Sequence, residues 1–222
     1  MFFHWLEKNP FFFAAAISFV ISFAGLIEIV PNFSQASRPL VDMKPRTVLE
    51  TAGKLVYMKD NCIACHSQLI RPFKSETDRY GDYSLSGEYA YDRPFLWGSK
   101  RTGPDLHRIG NYRSTDWHEN HMWDPLAVVP GSIMPAYKHQ FTNLAEIETA
   151  YAEIVTVKNA FHTPYGDEFK GTRTAWEAHR PKVIEDAKLI AADMKNQDVK
   201  EAVARGEVPE VVALIAYLNS LK

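Results

Sequence analysis

The segment Cys62-Ile63-Ala64-Cys65-His66 holds the only two cysteines in the chain, two residues apart, with a histidine directly behind them. Thiols at that spacing match the two vinyl groups of a haem, and the adjoining imidazole is aimed at the iron as proximal ligand. This is the pattern of covalent c-type attachment. Two other chemistries use a C-x-x-C pair. A thioredoxin-like redox pair opens a helix in a βαβ setting, and nothing around Cys62 reads as strand. A structural zinc site needs two further ligands that only histidines supply here; His118 and His121 are a candidate pair, at tighter spacing than zinc motifs use. With both cysteines given to a haem, no disulfide remains, so cofactor and packing must stabilise the domain.

A c-type electron carrier needs a sixth ligand that keeps the iron low-spin, and methionine or histidine serves. Of the six methionines, Met1 and Met43 fall outside the domain, Met58 lies on the segment that delivers Cys62, and Met194 fits a helix face as core. Met134 is preferred over Met122, because it sits in the turn-rich run Pro130-Gly131-Ser132-Ile133-Met134-Pro135. Pro135 holds it extended, and a rigid loop presents a weakly binding thioether at low entropic cost. The rivals His107, His118, His121 and His139 read individually as interface or propionate contacts. On the proximal side, Arg101-Thr102-Gly103-Pro104-Asp105-Leu106 reads as the wall behind His66. The Pro104 carbonyl is the candidate acceptor for the imidazole Nδ1–H. Arg101, Arg108 and Trp97 are candidate partners for the haem propionates.

Helices must position these groups. Thr47-Val48-Leu49-Glu50 is a capping-box start, and Val48, Leu55 and Val56 carry an apolar face toward Cys62. Gly53 and Tyr57 lie one turn apart, so a second helix can cross closely there. Pro209 opens that partner: Val211, Leu214, Ile215, Leu218 and Leu221 follow the helical period, with Ala213 and Tyr217 on a neighbouring face. Two insertions separate these helices. Residues 67–100 read as loop. Residues 143–205 read as two helices, one capped by Asn143 with Glu146 and one after Pro181 carrying Val183, Ala187, Ile190 and Met194. No segment reads as a buried strand, so the fold class is mainly α.

From Pro10 to Val30 the chain is apolar except for Glu28, a length that matches the roughly 30 Å hydrocarbon core of a bilayer. Ser34-Gln35-Ala36 is a poor cleavage site, which favours an uncleaved anchor over a signal peptide. The organisation expected is an anchor over 1–31, a Pro-containing linker over 32–45 and a mono-haem domain over 46–222. Haem attachment takes place on the outer side of the energy-transducing membrane, so the N-terminus should face the cytoplasm and the domain the periplasm of a bacterial inner membrane. A net charge of −2 offers nothing for nucleic acid.

Together these features resemble class I-type cytochrome c domains: a first helix, CxxCH, a Gly-Pro-Asp-Leu turn, a loop Met before Pro, and a closing helix. A closer resemblance lies in Gln68-Leu-Ile-Arg-Pro-Phe-Lys-Ser-Glu-Thr-Asp-Arg-Tyr80, in Tyr91-Asp-Arg-Pro-Phe-Leu-Trp-Gly-Ser-Lys-Arg-Thr-Gly-Pro-Asp-Leu106 and in Trp117-His118. These runs are similar to the mono-haem subunit II of cbb3-type cytochrome c oxidase, CcoO or FixO. The resemblance covers the anchor through about His139. It implies one covalently bound haem c, held by Cys62 and Cys65 with His66 and Met134 as axial ligands. The implied role is electron relay toward the haem b of catalytic subunit I, where oxygen is reduced at a haem b3–copper centre, in a complex with a di-haem subunit III. It also implies a calcium site where subunit II meets subunit I, bordered by Trp97–Ser99. The residues support a relay independently: one haem cannot run multi-electron oxygen chemistry, and two filled axial positions leave no substrate site. A tethered shuttle would want a longer leash than this linker, and a haem sensor or peroxidase would need an open sixth position.

Overall fold

Helix α1 (Phe2–Lys8) and helix α2 (Pro10–Phe33) make up the first of two units, Met1–Ser37 and Arg38–Lys222. The computed structural model describes residues 2–33 and 39–222. Pro10 opens α2 where its missing N–H has no helical partner to lose. The window Pro10–Val30 has a mean hydropathy of 2.2 and is long and apolar enough to cross a membrane. Phe11, Phe19, Val20, Ile21 and Phe23 point outward on several sides, so α2 has no polar face for water. The helix runs on through Pro31 to Phe33, further than the expected anchor. A proline there removes only one backbone bond. Residues 34–38 of the expected linker, including the Ser34-Gln35-Ala36 run, lie outside the described residues.

The second unit is helical, and among the described residues its only β pairing is an isolated bridge between Leu144 and Pro209. In chain order come α3 (Val48–Lys59), α4 (Lys74–Tyr80), α5 (Thr115–Trp123), α6 (Pro125–Val128), α7 (Ile147–Phe161), α8 (Arg173–Ala192), α9 (Gln197–Ala204) and α10 (Glu210–Ser220). Single 3-10 turns at Cys62–Ala64, Ser86–Tyr89, Ile109–Asn111 and Lys138–Phe141 join them.

The crossing of α3 and α10 is the centre of the core. The capping box forms: Glu50 N donates to Thr47 Oγ1 at 3.2 Å, and Thr47 N to Glu50 Oε2 at 2.7 Å. A Cβ placed on Gly53 would lie 1.9 Å from the Ala213 carbonyl oxygen, so only glycine allows this approach. One turn on, the Tyr57 and Tyr217 rings meet at 5.6 Å. Val211 to Leu218 are buried without interruption, each large aliphatic side chain worth about 1.5–3 kcal/mol. An ion cluster closes the far end: Arg46 grips Asp92 with two bonds at 3.1 and 3.2 Å, and Lys54 Nζ reaches the same carboxylate at 3.2 Å.

The insertions depart from expectation. Residues 67–100 hold α4, organised by an ion cluster around Glu76 rather than by an apolar period. Between 143 and 205 there are three helices, not two. Glu146 rather than Asn143 precedes α7, because Asn143 and Ala145 pair with Glu210 and Val208 through their backbones. Helix α8 starts at Arg173, capped by Thr172, and carries Pro181 inside it. Trp176 is buried in the turns ahead of that proline, and packing there outweighs the lost backbone bond. Tyr151, Ile154, Trp176, Val183, Ala187 and Met194 join the same hydrophobic core as α3 and α10.

Candidate functional site

Helix α3 ends at Asp60, and Asn61 then turns the chain through the left-handed region at φ 56°. Cys62–Ala64 form one tight turn, in which His66 N and Cys65 N both donate to the Cys62 carbonyl, at 2.9 and 3.1 Å. Cys62 is half-buried and Cys65 exposed. Burial pushes the Cys62 thiol up to about 12, so it stays protonated. The turn brings both sulfurs and the imidazole to the end of one rigid helix.

His66 Nδ1 lies 2.8 Å from the Pro104 carbonyl oxygen. A carbonyl only accepts, so Nδ1 carries the proton and Nε2 keeps its lone pair for a metal. Burial holds the ring below the usual histidine pKa, against the pull of Pro104 and Asp105, and so keeps it neutral. Gly103 lies flat against the ring, and a Cβ there would be 2.3 Å from His66 Cε1. Gly103 N donates to the Cys65 carbonyl at 2.9 Å, stitching wall to turn. Gly98, at φ 75°, seats the 97–98 loop on the His66 carbonyl in the same way.

Asp105 fixes the wall. Its buried carboxylate accepts from Ser67 Oγ at 2.6 Å, Leu69 N at 2.8 Å and His107 N at 2.9 Å. Arg101, expected at the propionates, is committed inside this network, donating to Ser67 Oγ, the Leu69 carbonyl and Glu76 Oε2, each at 2.7 Å. Arg108 is likewise committed, to Glu88 and to the carbonyls of Asp82, Tyr83 and Lys222. Trp97 is 40% exposed and stacks on Phe95 with ring centroids 4.7 Å apart, while its carbonyl accepts from Gln68 N.

Met134 is half-buried against the core, and its N–H donates to Ser132 Oγ at 3.2 Å. The loop is pinned behind it where Tyr137 N donates to the Met122 carbonyl at 2.8 Å. Met122 and Met194 are core residues. Helix α5 presents two imidazoles that sequence reasoning rated only as contacts. Both nitrogens of His118 and Nδ1 of His121 are buried without a protein partner. Burial pushes both rings down to about 4; neighbouring His66 and Arg113 add to the effect at His121, as His121 and Arg113 do at His118. Cys62, Cys65, His118 and His121 do not gather as a metal-ligand cluster among the described residues, which removes the zinc reading.

These residues fit a haem. A neutral, oriented imidazole follows a dithiol turn, glycine keeps the space beside the ring thin, and orphaned donors nearby suit a carboxylate-edged group. The chain matches the family described as cytochrome C oxidase, mono-heme subunit/FixO over residues 3–222. A comparison with curated proteins finds no match. With the match running almost end to end over a helical fold that carries, among the described residues, one membrane-length helix, the chain belongs to the FixO family of mono-haem cytochrome c subunits of cbb3-type oxidases.

Proposed function

We propose that the chain attaches one haem through Cys62 and Cys65, ligates its iron with His66 and Met134, and relays single electrons toward the haem b of catalytic subunit I. The observation that carries this reading is the His66 Nδ1 contact with the Pro104 carbonyl at 2.8 Å, which leaves Nε2 as the ligating atom. The bound haem supplies reversible one-electron exchange at its iron. The protein's part is to hold both axial groups still and to keep water from the sixth position. Asp105 locks the wall behind His66, and the pinned 130–137 loop limits the freedom of Met134. His118 and His121, read from the sequence as interface or propionate contacts, have buried nitrogens without a protein partner to offer the propionates, alongside the candidates Arg101, Arg108 and Trp97.

The other assignments follow from this one. Helix α2 anchors the chain in the bacterial inner membrane, with the N-terminus in the cytoplasm and the haem domain in the periplasm, where attachment takes place. Subunit I and the di-haem subunit III are the partners. The Trp97–Ser99 loop, fixed on the His66 carbonyl by Gly98, is suited to border the calcium at the subunit I interface. Rapid mixing of the assembled oxidase with a reduced donor under anaerobic conditions tests the relay. The c-type absorption of this subunit should change before that of haem b. A haem b signal that leads it would contradict the proposal.

A further inference from the structure

Asp60, His139 and Glu210 come from three separate segments, the end of α3, the 138–141 turn and the start of α10, and one ligand atom of each lies within 4.8 Å of the others. From this arrangement we infer that they form a binding site for a divalent transition cation such as Zn²⁺, apart from the haem and from the calcium at the Trp97–Ser99 loop. An imidazole with two carboxylates is a donor set that such ions take readily.

Tetrahedral zinc, with bonds of about 2.0–2.2 Å, sets neighbouring ligand atoms roughly 3.3–3.5 Å apart. His139 Nε2 and Asp60 Oδ2 already stand 3.1 Å apart. Gln140 Nε2 donates to the same Asp60 oxygen at 2.6 Å, which orients the carboxylate from behind as second partners do in metal sites. The His139 side chain is 45% exposed, so the site opens to solvent on one side for entry and for a water ligand.

Glu210 supplies the independent observation. Its side chain is only 4% exposed; Lys59 Nζ satisfies Oε1, but Oε2 is buried with no partner. A carboxylate in the first turn of α10 suits the helix dipole, and that accounts for its charge. It explains neither the orphaned oxygen nor the convergence of Asp60, His139 and Glu210 at one place. Two carboxylates this close repel, and the Lys59 ammonium paired with Glu210 is half-exposed. A bound dication would satisfy Oε2 and replace Lys59 as counter-charge, clamping the end of α3 to the start of α10 just ahead of Cys62.

Calorimetric titration of Zn²⁺ into the haem-loaded full chain in detergent, chelator-treated and free of any histidine tag, tests the site. One saturable site per chain is expected, weakened about tenfold or more by Glu210→Gln and by His139→Ala. An unchanged c-type absorption spectrum reports that each variant is folded. Lys59→Met leaves all three ligands in place and removes the competing ammonium, so it should bind more tightly. No saturable binding to the parent chain overturns the inference, as does equal affinity in folded Glu210→Gln and His139→Ala, or unchanged or weaker binding by Lys59→Met.

Discussion

At the residue scale, Glu76 holds together the wall behind His66. Its carboxylate receives Arg101 from the wall and Arg71 from the chain just beyond the Cys62–His66 turn. Arg101 holds it down to about 2, from an ordinary 4.5, against the cost of removing it from water. A carboxylate depressed in the folded state stabilises fully above its unfolded pKa and loses that contribution as pH falls through the folded one. Glu76→Gln should therefore cost about 1–3 kcal/mol at pH 7. In denaturant titrations the gap between parent and variant should close between pH 4.5 and about 2; a gap constant over that window would be at odds with this account. The contact between His66 and the Pro104 carbonyl was legible, because a Gly-Pro turn limits what can stand behind a histidine. The commitment of Arg101 was not legible, since its partner Glu76 lies on a helix with no apolar period to announce it. Asp60, His139 and Glu210 were hidden for a related reason: three ordinary polar residues acquire meaning only when the fold brings them together.

At the scale of elements, the crossing of α3 and α10 decides whether the Cys62–His66 turn has a platform. Gly53→Ala would drive a methyl group into the Ala213 carbonyl, which is backbone and cannot swing aside. Separating the two helices should cost at least about 1–3 kcal/mol, read as a lowered thermal midpoint of the haem-loaded protein. An unchanged midpoint would mean the helices do not cross as described. This crossing was readable from Gly53 and Tyr57 against Ala213 and Tyr217, because a small and an aromatic residue one turn apart mark a close approach. Helices α4 and α8 were misjudged where tertiary contacts outweighed local signals. Glu76 organises α4 through charge, and the burial of Trp176 carries α8 across a proline that in isolation reads as a boundary.

On the scale of the whole molecule, the 143–205 insertion is part of the domain rather than an attachment to it. Tyr151, Trp176, Val183 and Met194 share one core with α3 and α10, so deleting the insertion would expose that core. The molecule thus combines a membrane-length helix with a helical domain that holds the His66 imidazole oriented on the Pro104 carbonyl. The proposal that the domain is a relay rather than a catalyst requires both axial positions to be filled. Absorption spectroscopy of the reduced, purified chain with and without carbon monoxide tests this most directly. The account predicts a sharp c-type band that carbon monoxide leaves unchanged, and a band that shifts once Met134→Ala opens the sixth position. A shift in the parent chain, or none in the variant, would contradict it.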